Sequence, residues 1–145
     1  QPFQLRTLDA KRLPDTPADL RAKIDADVRT ISDPAAGSDA LRAADRLVKI
    51  GRAAIPKVLG LAGTFDFSIY KDIRDARDAG VIAQSCDHVL RGITNYDKIA
   101  ALQYTPHARI SEFQENAEQW AIWWFAHGYK RATFYHHVEE EDEEL

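Results

Sequence analysis

The chain has no methionine and a single cysteine among its 145 residues. One cysteine excludes an intrachain disulfide, and Cys86 reads as a small buried hydrophobe on a helix rather than a nucleophile, since no base is spaced to activate it. No apolar run approaches the roughly 20 residues needed to cross a bilayer. Strict apolar–polar alternation, the mark of a half-buried strand, is missing throughout. There is no glycine-rich phosphate loop, no Gly-x-Ser-x-Gly and no dinucleotide fingerprint, so the usual nucleotide and hydrolase chemistries have no foothold. Glycine and proline number only 7 and 6, too few for a fibrous or linker-like chain.

The missing methionine has two explanations. A signal peptide cleaved ahead of Gln1 places the chain in a periplasmic or secreted compartment, and this reading is slightly favoured. A trimmed start accounts for it equally well and leaves the compartment open.

Charge is unevenly spread. The net value is −4, yet residues 139–144 read Glu-Glu-Glu-Asp-Glu-Glu. Without those six acids the remainder carries 19 basic and 17 acidic side chains, a net of +2. A block of like charge repels itself and stays solvated, so 139–145 is expected to be a disordered acidic tail. A near-neutral body lacks the basic face of a nucleic-acid binder. Lys49, Arg52 and Lys57, with Arg42 and Arg46 on the preceding helix, form the one basic cluster. Affinity for phosphates grows with the number of contacts, so the cluster falls short of a nucleic-acid site.

Residues 1–14 show no helical period and read as an extended arm, with Phe3, Leu5, Leu8 and Leu13 lying along the body. Residues 15–138 form one domain, a size that buries about 70% of its extended surface. Its first helix starts at Thr16-Pro17, with Thr16 as N-cap. Leu20, Ile24, Val28 and Ile31 make one stripe, and Ser32-Asp33-Pro34 ends it. Ser38 caps a second helix whose inner face is Leu41, Ala44, Leu47, Val48 and Ile50, with Gly51 as the stop. A short third helix covers 53–62, with Ile55, Val58, Leu59 and Leu61 inside and Pro56 in its first turn; Gly63 ends it. A fourth spans 67–93, with Tyr70, Ile73, Val81, Ile82, Cys86, Val89, Leu90 and Ile93 as core and a kink or break at Gly80. Its rows Lys71, Arg74, Arg77 and Asp72, Asp75, Asp78 read as a solvated face of weak ion pairs. Residues 95–110 look irregular. The last helix runs 112–127, capped by Ser111 with Gln114 and closed by Gly128; its inner stripe is Phe113, Ala117, Trp120 and Trp124. Five helices and no strand predict an all-α fold, either a short solenoid or an irregular helical bundle.

Residues 44–61 read Ala44-x-x-Leu47-x-x-Ile50-Gly51-x-x-Ala54-Ile55-Pro56-x-Val58-x-x-Leu61. This resembles a HEAT repeat: one helix ending in Ile-Gly, a tight turn, and a second opening with Ala-Ile-Pro, their apolar stripes facing each other. Val89-Leu90-x-x-Ile93-Thr94 and Glu118-x-Trp120-x-x-Trp123-Trp124 are similar to the end of HEAT-like domains of planctomycete-type bacterial proteins, which close with a Trp-x-x-Trp-Trp helix. The chain departs from them at Asn95, where they carry glycine. The resemblance implies a scaffold or interaction role with no cofactor and no catalytic residues. Solenoid units bury their faces only by stacking, so a lone unit implies degenerate neighbours or a partner on an exposed face.

Trp120 and Trp124 share a face, while Trp123 lies about 100° from Trp124. A narrow stripe leaves at least one indole at a groove, where tryptophan is enriched among binding hot spots. Trp120, Trp123, Trp124, Phe125, Tyr129, Phe134 and Tyr135 are therefore the candidate protein-binding surface. The acidic tail adds electrostatic steering toward a partner. The alternative is a metal-binding or enzymatic protein using His136 and His137 beside the acids. The histidines, including His88, His107 and His127, show no i,i+3 or i,i+4 metal pair, and Cys86-x-His88 lacks the remaining ligands of a zinc site. The first reading is the favoured one: a non-catalytic protein–protein interaction or assembly module, such as a small subunit of a larger complex.

Overall fold

The computed structural model describes residues 16–64, 73–103, 110–128 and 134. Side chains are described from residue 80 onward in the fourth helix and from 113 onward in the fifth. The arm, the row 71–78, Tyr70, Ile73, His107, Tyr129, Tyr135, His136, His137 and the acidic tail fall outside that set or lack described side chains. The described residues form an all-α fold: α1 (Ala18–Ile31), α2 (Ser38–Ile50), α3 (Ile55–Thr64), α4 (Ile73–Thr94) and α5 (Ile110–Trp123). Short 3₁₀ turns, Pro34–Ala36 and Arg52–Ala54, join α1 to α2 and α2 to α3. None of the described helices is long and apolar enough to cross a membrane.

The stripes read from the sequence mostly point inward. Ile24, Val28 and Ile31 of α1, Ala44 and Leu47 of α2, and Ile55, Val58 and Leu59 of α3 are buried in one core. Ile82, Cys86, Val89, Leu90 and Ile93 of α4 join them, with Phe113, Ala117, Trp120 and Trp124 of α5. Leu20, Val48, Ile50 and Leu61 pack against it while partly exposed. Leu41 and Val81 depart from the pattern and lie on the surface, 68% and 46% exposed.

The helix starts differ from the sequence reading. Pro17 is itself the N-cap of α1, with ψ 152°, and no side chain caps the helix. Thr16 is buried instead, its carbonyl accepting Arg21 Nε at 2.9 Å. Ser38 does not cap α2, because Gly37 holds the N-cap at φ 58°. The capping side chain sits one element earlier, where Asp33 Oδ1 accepts the Ala35 amide at 2.9 Å. Helix α3 passes through Gly63 to Thr64, α4 continues unbroken past Gly80, and α5 begins at Ile110, ahead of Ser111.

Two glycines set the geometry. Gly51 ends α2 at φ 84°, ψ −143°, a region that side chains bearing a Cβ avoid. Gly92 lets α4 approach α2: a Cβ there would lie 2.8 Å from Val48 Cγ2. The most extensively packed helix pairs are α1–α2, α2–α4 and α3–α4, with α5 against α3. So the helices joined at Gly51 lean on α1 and α4 more than on each other, unlike the face-to-face pair read from the sequence. Helix α4, at 22 residues the longest of the described helices, packs against both α2 and α3.

Candidate functional site

The candidate surface read on α5 is for the most part core. Trp120, Trp123 and Trp124 are all buried, so the expectation of an indole at a groove does not hold. The reason is the width of the buried stripe. Positions 120, 123 and 124 follow the i, i+3, i+4 pattern of one broad helical face. Tyr96 covers Trp123 with ring centroids 5.6 Å apart, and Phe134, also buried, stands edge-on to Trp123 at 6.1 Å and to Trp124 at 6.4 Å. Trp120 packs edge-on to Trp123 at 6.2 Å, and its Nε1 has no acceptor among the described residues. Beyond Trp123 the helix widens into a π turn, Trp124–Gly128. Of the seven candidate residues, Phe125 is exposed, at 47%, and the sequence reading passed over its neighbour Ile122, exposed at 53%.

A groove lies elsewhere, between α2 and α4. It has a volume of about 550 Å³ and its apolar wall is Ala40, Leu41, Ala44 and Val81. Asp33, Asp45, Gln84, Ser85 and His88 supply its polar lining. His88 Nε2 and Asp45 Oδ1 lie 3.0 Å apart at this groove, both exposed. The 3₁₀ turn Pro34–Ala36 and Gly37 carry the chain around one end of it. The two apolar residues that the period assigns to the core and the fold leaves outside, Leu41 and Val81, both line this groove. Neither residue alone signals a groove, because α2 and α4 meet only in the folded chain.

The basic cluster is largely consumed by internal pairs. Arg52 is buried, with Nε donating to the Gly128 carbonyl at 2.9 Å and its guanidinium 5.8 Å from the Trp124 ring centre. Arg46 donates from Nε and Nη2 to Asp27 Oδ1 at 3.1 and 2.9 Å, and this bond, then the charge of Asp27, raises the pKa of the guanidinium further. Lys57 Nζ lies 3.8 Å from Asp25, and Arg42 pairs with Asp39.

A polar hub missed in the sequence fixes the segment after α4. Asp87 accepts Arg91 Nε on both oxygens, at 3.1 and 2.9 Å, and the Leu102 amide at 2.9 Å. Arg91 donates onward to the carbonyls of Tyr96 and Ile99. Ile99 and Leu102 are thereby held in the core, and Tyr96 against it.

Cys86 is fully buried, and burial pushes its thiol up to about 12, the nearby Asp87 charge adding to the effect. The position is that of a packing residue. His127 stacks edge-on to Trp123 at 5.8 Å. No group of three or more His, Cys, Asp or Glu placed to hold a metal occurs among the described residues.

No protein-family model matches the chain, and no curated protein or solved structure matches it significantly.

Proposed function

We propose that the chain is a non-catalytic interaction module, a small HEAT-like helical domain that receives an apolar segment of a protein partner between α2 and α4. The observation that carries this reading is the placement of Leu41 and Val81. Both continue the apolar stripes of their helices, both are exposed, and both line one groove of about 550 Å³. Apolar surface with a polar rim is the ordinary anatomy of a docking site. Seating one Leu or Phe side chain yields about 1.5–3 kcal/mol. Micromolar binding needs about 8 kcal/mol, so the partner must use several anchors. An amphipathic helix with residues at i, i+3 and i+4 supplies them and fits a cleft between two helices.

The test is selection from a displayed library of helical peptides against the intact protein. Sequences enriched on the intact chain should be lost on the Leu41→Asp, Val81→Asp double variant. They should persist on Ile122→Asp, Phe125→Asp, which alters the exposed pair on α5. Loss only on the α5 variant would move the site to that helix. Absence of any enriched sequence would remove the groove as a docking site.

A further inference from the structure

A second groove, about 420 Å³, runs between α1 and α2 and is lined by Lys23, Ala26, Asp27, Arg46, Lys49 and Ile50. It holds three cations and one carboxylate, and that carboxylate is already taken by Arg46. No described carboxylate lies within ion-pair distance of Lys23 or Lys49. The floor between them, Ala26 and Ile50, is apolar. The groove therefore offers a short cationic track of the kind that takes an acidic peptide backbone and its carboxylates.

We propose that its occupant is the chain's own acidic row, Glu139–Glu144. Charge complementarity is one reason. The other is reach. Phe134 packs on Trp124 with centroids 6.4 Å apart, and the Arg52 guanidinium lies 5.8 Å from the Trp124 ring centre. Arg52 follows Lys49 by three residues, so two side-chain contacts and one short turn link Phe134 to the end of α2 that carries Lys49. Residues 135–144 can extend up to roughly 34 Å, ample to lay the acids along Lys49, Arg46 and Lys23. Exposed ion pairs are individually weak. A tether of this length holds the acids at an effective concentration near millimolar, which lets several weak pairs act together. The contact is electrostatic and exposed, so it is present at low salt and screened away near 1 M, where the Debye length falls to about 3 Å. The inference does not depend on the α2–α4 groove, and its test reads different residues.

The test compares amide ¹H–¹⁵N spectra of the full chain with those of a full-length variant in which residues 139–144 carry Gln and Asn in place of Glu and Asp. Shift differences should centre on Lys23, Arg46 and Lys49 at 20 mM salt and vanish at 1 M. A synthetic peptide of residues 138–145 added to the neutral-tail variant should restore them. Lys23→Glu with Lys49→Glu should weaken that peptide about fivefold or more, the effect of losing two exposed pairs; both side chains are on the surface, so the fold is kept. Identical spectra for the two chains, or differences centred on Leu41 and Val81, would overturn the proposal. Differences that grow with protein concentration would also overturn it, because the occupant would then be the tail of a second copy.

Discussion

Arg52 Nε donates to the carbonyl of Gly128 across 76 positions of sequence, at 2.9 Å and out of solvent. The same guanidinium faces the Trp124 ring. One side chain thus ties the α2–α3 turn to the π turn that follows α5. Hydrogen bonds from charged donors contribute about 1.5–3 kcal/mol and a desolvated cation over an indole about 1–2 more. Arg52→Ala should therefore lower the unfolding free energy by about 2.5–5 kcal/mol in urea titration. Arg52→Lys should recover only part of it, because an ammonium cannot place a donor in the same plane. A loss below about 0.5 kcal/mol for Arg52→Ala would show that the contact is incidental.

The Asp87–Arg91 hub makes a local prediction. In Asp87→Ala the Leu102 amide loses its acceptor and Arg91 loses its partner. Hydrogen exchange at Leu102 should accelerate by at least tenfold, with global stability falling by about 1–3 kcal/mol. Exchange within α1 should follow only the global change. If Leu102 exchanges no faster than α1 does, the segment is held by packing of Ile99 and Leu102 alone.

Cys86 predicts a pH effect with a definite sign. The thiol ionises near 8.5 in an unfolded chain and is held to about 12 in the folded one. Above about pH 8.5 the unfolded state therefore binds fewer protons, and stability contributed by the buried thiol declines from there toward pH 12. The drop in unfolding free energy between pH 8 and pH 10 should be larger for the native chain than for Cys86→Ala, which isolates this thiol from the lysines and tyrosines. A disulfide reagent at pH 8 should label Cys86 slowly without denaturant and at once in urea. Equal rates in the two conditions would contradict the burial.

The close approach of α2 and α4 predicts a suppressor pair. Gly92→Ala places a methyl against Val48, at 2.8 Å from Cγ2, and overpacking of this kind costs about 1–3 kcal/mol. Adding Val48→Ala removes the obstructing methyls and should return part of that loss, so the double variant is more stable than Gly92→Ala alone. Strict additivity of the two changes, measured by urea titration, would mean that the helices separate rather than clash.

The groove predicts a contrast in stability. Leu41→Asp should change the unfolding free energy by no more than about 0.5 kcal/mol, as expected of an exposed site. Leu47→Ala, six residues along the same helix and fully buried, should cost about 2–5 kcal/mol. A large loss at Leu41 would place it in the core and remove the basis for a docking surface.

Periodicity made the helices legible, because each stripe is local: Ile24, Val28 and Ile31 repeat along one helix and end in one core. What it could not give is which helix each stripe meets. Leu41 and Val81 obey their stripes and still lie outside, since no described element covers the α2–α4 groove at those positions. The tryptophans erred the other way. Helical spacing alone predicts a narrow stripe, while Tyr96 and Phe134, 27 residues before and 11 residues after Trp123, wrap it on both sides. The polar hubs were invisible for the same reason. Asp27, Arg52 and Asp87 look like solvated helix charges until partners 19, 76 and 15 positions away are folded onto them.

The wide turn at Trp124–Gly128 has a further consequence. A π turn is an α-helix that has absorbed one additional residue. It works as a phase shifter: the direction in which the Gly128 carbonyl faces is set by that single insertion. A one-residue deletion within 125–127 would restore an ordinary α-turn and rotate Gly128 by about 100° about the helix axis. Its carbonyl would then be turned away from Arg52, and the tie across 76 positions would be lost.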